Sequence, residues 1–252
     1  MKLQRIFSLS LSILAASALF ATAADTDTAP VGPPGAPRGG RRGAPGGGKH
    51  VPLPVPSLKY HVTGQTPPSA DGFLQRWMIL EPISIGNQQP EAASKAAVKT
   101  EYFPNQLTIL PKDGDKVSFG GADYAWHSLD TLKHRVNLYH FGYELNKPSA
   151  GVIFWAVTIV NCPEEMHNVR LAVGSNASSV WWVNGEEVIG IYGDIQTIID
   201  DGISKHLTLK KGQNVIRGAI INGSGATDFC ARFLDQNDKP LTKGFTLSVP
   251  EK

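Results

Sequence analysis

The pair Asn184-Gly185, set between "SSVWWV" and "EEVI", constrains this chain more than any other feature. A type I′ turn needs positive φ at both central residues, and Asn-Gly supplies that at low steric cost. The stretch predicts a hairpin, with one strand over Ser179–Val183 and its return over Glu186–Ile189. Side chains alternate across a strand, so Trp181 and Val183 share one face while Val180 and Trp182 share the other. Trp181 reads as core. What Trp182 touches on the opposite face bears on function.

Strand patterns recur from Leu58 to Lys252, a length that suits one β-sandwich or barrel domain. "FLQRWMIL" (Phe73–Leu80) mixes aromatic and β-favouring residues. "RVNLYHFGYEL" (Arg135–Leu145) alternates and predicts a strand with Tyr139, Phe141 and Tyr143 on one face. "GVIFWAVTIVNC" (Gly151–Cys162) is apolar on both faces, the mark of a central strand. "NVRLAVGS" sets Val169, Leu171 and Val173 against Arg170 and Ala172, which suits a half-buried strand. "KHLTLKKGQNVIRGAII" predicts two strands around a Lys-Gly-Gln-Asn turn, and "DFCARFLD" predicts another. "PEAASKAAVKTEYF" reads as a short helix. Short strands punctuated by Gly, Asn and Asp predict an all-β fold, an antiparallel β-sandwich. No repeat of fixed period is visible.

The first residues predict export. "MKLQR" is basic, "IFSLSLSILAASALF" is weakly apolar, and "ATA" at Ala21–Ala23 offers the small residues a signal peptidase reads. Residues 1–24 are therefore expected to be a signal peptide, and the protein to be secreted or periplasmic. With no cysteine near the cleavage site, a lipid anchor is not expected. No other apolar run approaches the length of a membrane span. From Asp25 to Ser57 glycine and proline dominate ("APVGPPGAPRGGRRGAPGGGKHVPLPVP"), a composition that cannot bury much and reads as a linker. "RGGRRG" is better taken as solvated spacer than as an RNA-binding segment. Losing Lys2 and Arg5 with the leader leaves 22 of the 24 basic residues against 22 acidic ones. A neutral exported chain offers no electrostatic case for nucleic acid or anionic membrane as partner.

The order of pieces in the second half resembles a known group. An apolar strand ("VIFWAVTIVN") precedes a strand ending in Gly-Ser-Asn, then "VWWVNGEEV", then "LTLKKGQNVIRGAIINGSG" and a closing "FCARFLD". This resembles the galactose-binding-like jelly-roll modules attached to bacterial carbohydrate-active enzymes, and among them the accessory modules of secreted acetylxylan-esterase-type proteins. The likeness runs from Phe73 to about Leu234 and is firmest from Val152 onward. It implies a jelly roll over residues 58–252 that binds glycans, packs against a catalytic domain, or does both. Plant polysaccharide of the xylan type enters only by that association. Structural calcium is common in the group, with no other cofactor expected.

Catalysis has little support in the residues. The hydrolase elbow G-x-S-x-G is absent: "GSNAS" has Asn176 at its centre and "NGSGA" lacks the spacing. His127, His134, His140 and His167 leave open a Ser-His-Asp set assembled only in space, so an esterase stays as one alternative. "KDGDK" places Asp113 and Asp115 around a glycine, a calcium fragment or an ordinary turn, and Asp200-Asp201 is another source of oxygens. Sugar recognition needs aromatic faces flanked by hydrogen-bonding groups. Trp77 and Trp155 lie in apolar runs and read as core, whereas Trp126, Trp182, Tyr192 and Asp194 are the ligand-binding candidates. The same aromatics could instead cover the second face of a sheet or form a docking surface for a partner domain. Export also permits a disulfide between Cys162 and Cys230, against the plainer role of cysteine as a small buried apolar residue.

Cleavage after Ala23 or Ala24 is the expected outcome for secreted protein. N-terminal sequencing checks it, and protein beginning at Met1 contradicts the leader.

Overall fold

Asn184 and Gly185 both take positive φ, 52° and 86°, and join two antiparallel neighbours as the turn chemistry requires. The computed structural model describes residues 57–86, 91–176, 178–193 and 196–251, so the predicted leader and nearly all of the linker lie outside the described residues. The first half contributes β1 (Leu58–Tyr60), β2 (Arg76–Leu80), β3 (Ile83–Ser84), α1 (Glu91–Lys99), β4 (Lys116–Phe119), β5 (Ala122–Thr131), β6 (Val136–Asn137) and α2 (Leu138–Glu144). The second half contributes β7 (Val152–Cys162), β8 (Met166–Ser175), β9 (Ser178–Val183), β10 (Glu186–Ile191), β11 (Gly202–Ile203), β12 (Leu207–Leu209), β13 (Gly212–Asn222), β14 (Asp228–Leu234) and β15 (Thr246–Ser248).

These strands make an all-β antiparallel sandwich. Among the described residues ten strands form the larger sheet, in the order β1-β5-β2-β7-β13-β9-β10, with β3 and β15 also paired to β7 and β4 to β5. Five form the smaller one, β11-β8-β14-β6 with β12 beside β8. Their facing sides enclose the main core, where Trp77, Phe154 and Trp181 of the large sheet meet Leu171, Val173, Phe229 and Phe233 of the small one. Phe229 packs edge-on against both Trp77 and Trp181, with centroids 5.1 and 5.0 Å away. Both indoles keep a hydrogen bond, Trp77 donating to the Leu74 carbonyl at 2.7 Å and Trp181 to the Ser179 hydroxyl at 3.0 Å. Gly218 lies opposite Trp181 in register, and a Cβ there would stand 2.6 Å from the ring. A glycine in mid-strand is the space the indole occupies.

The outer face of the large sheet is also buried. A second core gathers Met78, Trp126, Trp155, Val180, Trp182 and Ile221 beneath Ala97 and Val98 of α1 and the following Tyr102 and Phe103. The helix that provides this roof suits its sequence: it is alanine-rich, and Glu91 pairs with Lys95 one turn on at 2.5 Å.

Two expectations need correction. The strand predicted over Arg135–Leu145 is only the two residues of β6, followed by helix α2. Asn137 caps that helix, its side-chain oxygen accepting the His140 N–H at 2.7 Å. Leu138 and Phe141 are buried three residues apart and Leu145 packs against the core, while Tyr139 is exposed, so the buried spacing is helical. The two strands in "KHLTLKKGQNVIRGAII" both form, yet not as a hairpin, because β12 joins β8 in the small sheet and β13 joins β7 and β9 in the large one.

Gly218→Ala is expected to destabilise the domain by about 1–3 kcal/mol, the ordinary cost of overpacking a core. Denaturant unfolding measures it. A loss under about 0.5 kcal/mol, the range of neutral surface changes, would show that Trp181 is free to move aside.

Candidate functional site

The sequence candidates divide on burial. Trp126 is 0% exposed and meets Phe103 edge-on at 6.2 Å. Trp182 is 6% exposed and stacks on Trp155, centroids 5.9 Å apart with planes at 21°. Neither ring is an open platform for a sugar, which corrects the expectation for both. The physical reason is neighbourhood: β5, β7 and β9 each place a tryptophan on the same outer face, and α1 with the chain behind it covers all three. Asp194 lies outside the described residues.

Tyr192 is half-buried just beyond β10, with Lys95 Nζ 4.7 Å over its ring. It does come together with Trp182. The two line a cleft of about 220 Å³ with Lys95, Lys99, Gln106, Leu107 and Glu187, where α1 and the loop behind it meet the β9–β10 edge. Leu107 also walls a neighbouring cleft of about 290 Å³, shared with Asn184, Lys210, Gln213 and Arg217. Sequence reading missed this second cleft, although a lone arginine in the apolar run "NVIRGAII" was the visible signal.

Elsewhere the fold assembles titratable groups. Ser57 Oγ lies 2.6 Å from Nδ1 of His140, whose Nε2 lies 2.9 Å from Glu144. Tyr60 donates its hydroxyl to the other oxygen of Glu144 at 2.6 Å, and burial together with that carboxylate pushes the Tyr60 pKa far up. Ser-His-Glu is the order of groups in a hydrolase relay. Here, however, Ser57 is 8% and His140 5% exposed, whereas a working nucleophile needs room for an acyl group about 3 Å away. The chain also ties α2 to the start of β1, a structural role that needs no substrate.

Another opening, about 560 Å³, lies among His61, Asp113, Ser128 and Glu251. His61 takes φ 56° and sets its Nδ1 2.7 Å from Asp113, which also accepts the Ser128 N–H at 2.8 Å. Burial pushes the Asp113 pKa up, but the Ser128 N–H and the His61 ring outweigh it and hold the carboxyl below its ordinary value. Asp115 accepts the Lys112 N–H at 2.8 Å, so "KDGDK" is a hydrogen-bonded turn. Asp200 is paired with Arg232. Among the described residues no three His, Cys, Asp or Glu side chains gather to hold a metal.

Cys162 and Cys230 are both buried free thiols, which corrects the proposed disulfide. Cys162 belongs to the core between the sheets. Cys230 alternates with the inward Phe229 and Ala231 and turns outward, its sulfur close to Gly174 near the Ile198 backbone. One thiol lies between the sheets and the other on the outer side of the small sheet, and cysteines whose side chains point apart are not bridged without backbone movement.

No family model matches the chain, and no curated protein matches it. Among solved structures, a β-glucosidase from Kluyveromyces marxianus in complex with glucose is similar over 70% of this chain and 19% of that one, at 13% identity and a TM-score of 0.32.

Trp182→Ala is expected to cost about as much as Trp181→Ala, roughly 3–5 kcal/mol each as large-to-small core changes. Urea unfolding of both variants checks it. A Trp182→Ala protein within about 1 kcal/mol of the parent would restore Trp182 as a surface residue.

Proposed function

We propose that this chain is an exported, non-catalytic glycan-binding module, of the galactose-binding-like jelly-roll kind associated with plant polysaccharide breakdown, and that it holds sugar in the clefts flanking Leu107. The observation that carries the reading is the Trp182–Tyr192 cleft, where aromatic edges meet the charged side chains of Lys95, Lys99 and Glu187 within about 220 Å³. Small-ligand sites combine apolar walls with a few polar groups in this way. With most of Trp182 covered, Tyr192 supplies the contact area, and binding is weak. Export follows from the basic, apolar and small-residue order of the leader.

Xylohexaose titrated into the mature domain tests this. Tyr192→Ala is expected to weaken binding by about 0.5–1.5 kcal/mol, the worth of an aromatic contact, with the melting temperature nearly unchanged. Absence of binding to any glycan would favour a protein-docking domain instead, with the exposed Leu107 and Leu110 as its apolar contacts.

The Ser57–His140–Glu144 relay favours one second reading, a carbohydrate esterase of the acetylxylan type. Acetate released from acetylated xylan at enzymatic rates, and lost in Ser57→Ala, would establish that reading and overturn the first.

A further inference from the structure

Arg217 stands on the outer face of β13 and is 2% exposed. Its Nη2 donates to the Ile109 carbonyl at 2.5 Å, while Nη1 has no hydrogen-bond partner among the described residues. Nor does any carboxylate pair with it among those residues. Burial lowers its pKa to about 10, which leaves it charged at neutral pH. A buried cation without a counter-charge is costly, and such a group is a place where an anion gains most. The side chain forms part of the wall of the cleft of about 290 Å³. Lys210 adds a second cation at the rim, Gln213 and Thr108 add polar groups, and no acidic side chain lines the space.

We propose that the Arg217 cleft is an acidic-sugar subsite that takes the carboxylate of a uronic acid residue; this rests on the glycan-binding reading above and names its substrate class. Arg217 and Trp182 are register partners on adjacent strands, about 4.8 Å apart in the sheet. A single sugar unit spans that distance, so a ring in the Trp182–Tyr192 cleft continues past Leu107 into the Arg217 cleft. The guanidinium's planar fork matches a carboxylate with two parallel N–H donors. Gln213 and Thr108 suit the hydroxyls of a sugar, which an acidic peptide side chain lacks.

The test compares trigalacturonic acid with its methyl ester, in low salt, on the whole mature domain. The acid is expected to bind at least tenfold tighter than the ester. Arg217→Met, which removes the buried charge and keeps an apolar stem, should abolish that ratio and retain the melting temperature. Lys210→Ala at the exposed rim should reduce the ratio about threefold without touching the core. Should Arg217→Met fail to fold, the Lys210→Ala ratio decides: a fall supports the subsite and no change overturns it. Equal affinity for acid and ester overturns it as well. So does a ratio that persists in folded Arg217→Met, or tighter Arg217-dependent binding of a hexaglutamate peptide. Xylohexaose run in parallel separates the two levels. If it binds and acid and ester do not differ, the module reading stands and the subsite falls; if no glycan binds, the reading itself falls.

Discussion

β7 carries Val152, Phe154 and Ala156 on one face and Ile153, Trp155 and Val157 on the other, so covering one side leaves an equally apolar side in water. A two-layer sandwich solves half of that problem. The small sheet buries the first face, and the second needs another cover. Helix α1 and the Tyr102–Phe103 stretch supply it. Each tryptophan under that roof removes about 150–250 Å² from water, at about 25 cal/mol per Å². Three such rings, Trp126, Trp155 and Trp182, are reason enough for a short helix to be held against a sheet it does not extend.

The candidate site is a by-product of this roofing. Clefts open where the roof ends, along the line at which α1 and the loop through Leu107 meet β9, β10 and β13. A closed roof would leave Trp182 and Arg217 wholly internal, and a missing one would expose them as a flat patch. The partial cover gives grooves whose floors come from the sheet and whose walls come from α1 and its following loop. Basic groups gather there from separate parts of the chain, Lys95 and Lys99 from the helix and Lys210 and Arg217 from around β13. Polar ties do comparable work at α2, where His140 and Glu144 reach Ser57 and Tyr60 at the start of the sheet.

Much of the architecture follows from local chemistry alone. Asn184-Gly185 specifies its turn because few other pairs tolerate positive φ twice, and alternation then places Trp181 and Trp182 on opposite faces, as found. The continuous apolar run of β7 marks a central strand, and the alanine-rich stretch after Glu91 marks a helix. Alternation misleads at α2, where every second residue is aromatic and yet a capping asparagine and the spacing of Leu138 and Phe141 favour the helix.

The sequence by itself determined which way each side chain faces along its strand. Only the tertiary structure decided what lies opposite. Period-two patterning is a property of one strand's backbone, so it separates Trp181 from Trp182 without telling which of them stays dry. Burial is set by chain far away in sequence: residues near 100 cover a tryptophan at 182, and the backbone at Ile198 lies beside Gly174, where the Cys230 sulfur turns away from Cys162. The clefts belong wholly to that second class, because Leu107, Trp182 and Arg217 share no local pattern and meet only when a roof from one half of the chain settles on a sheet built largely from the other.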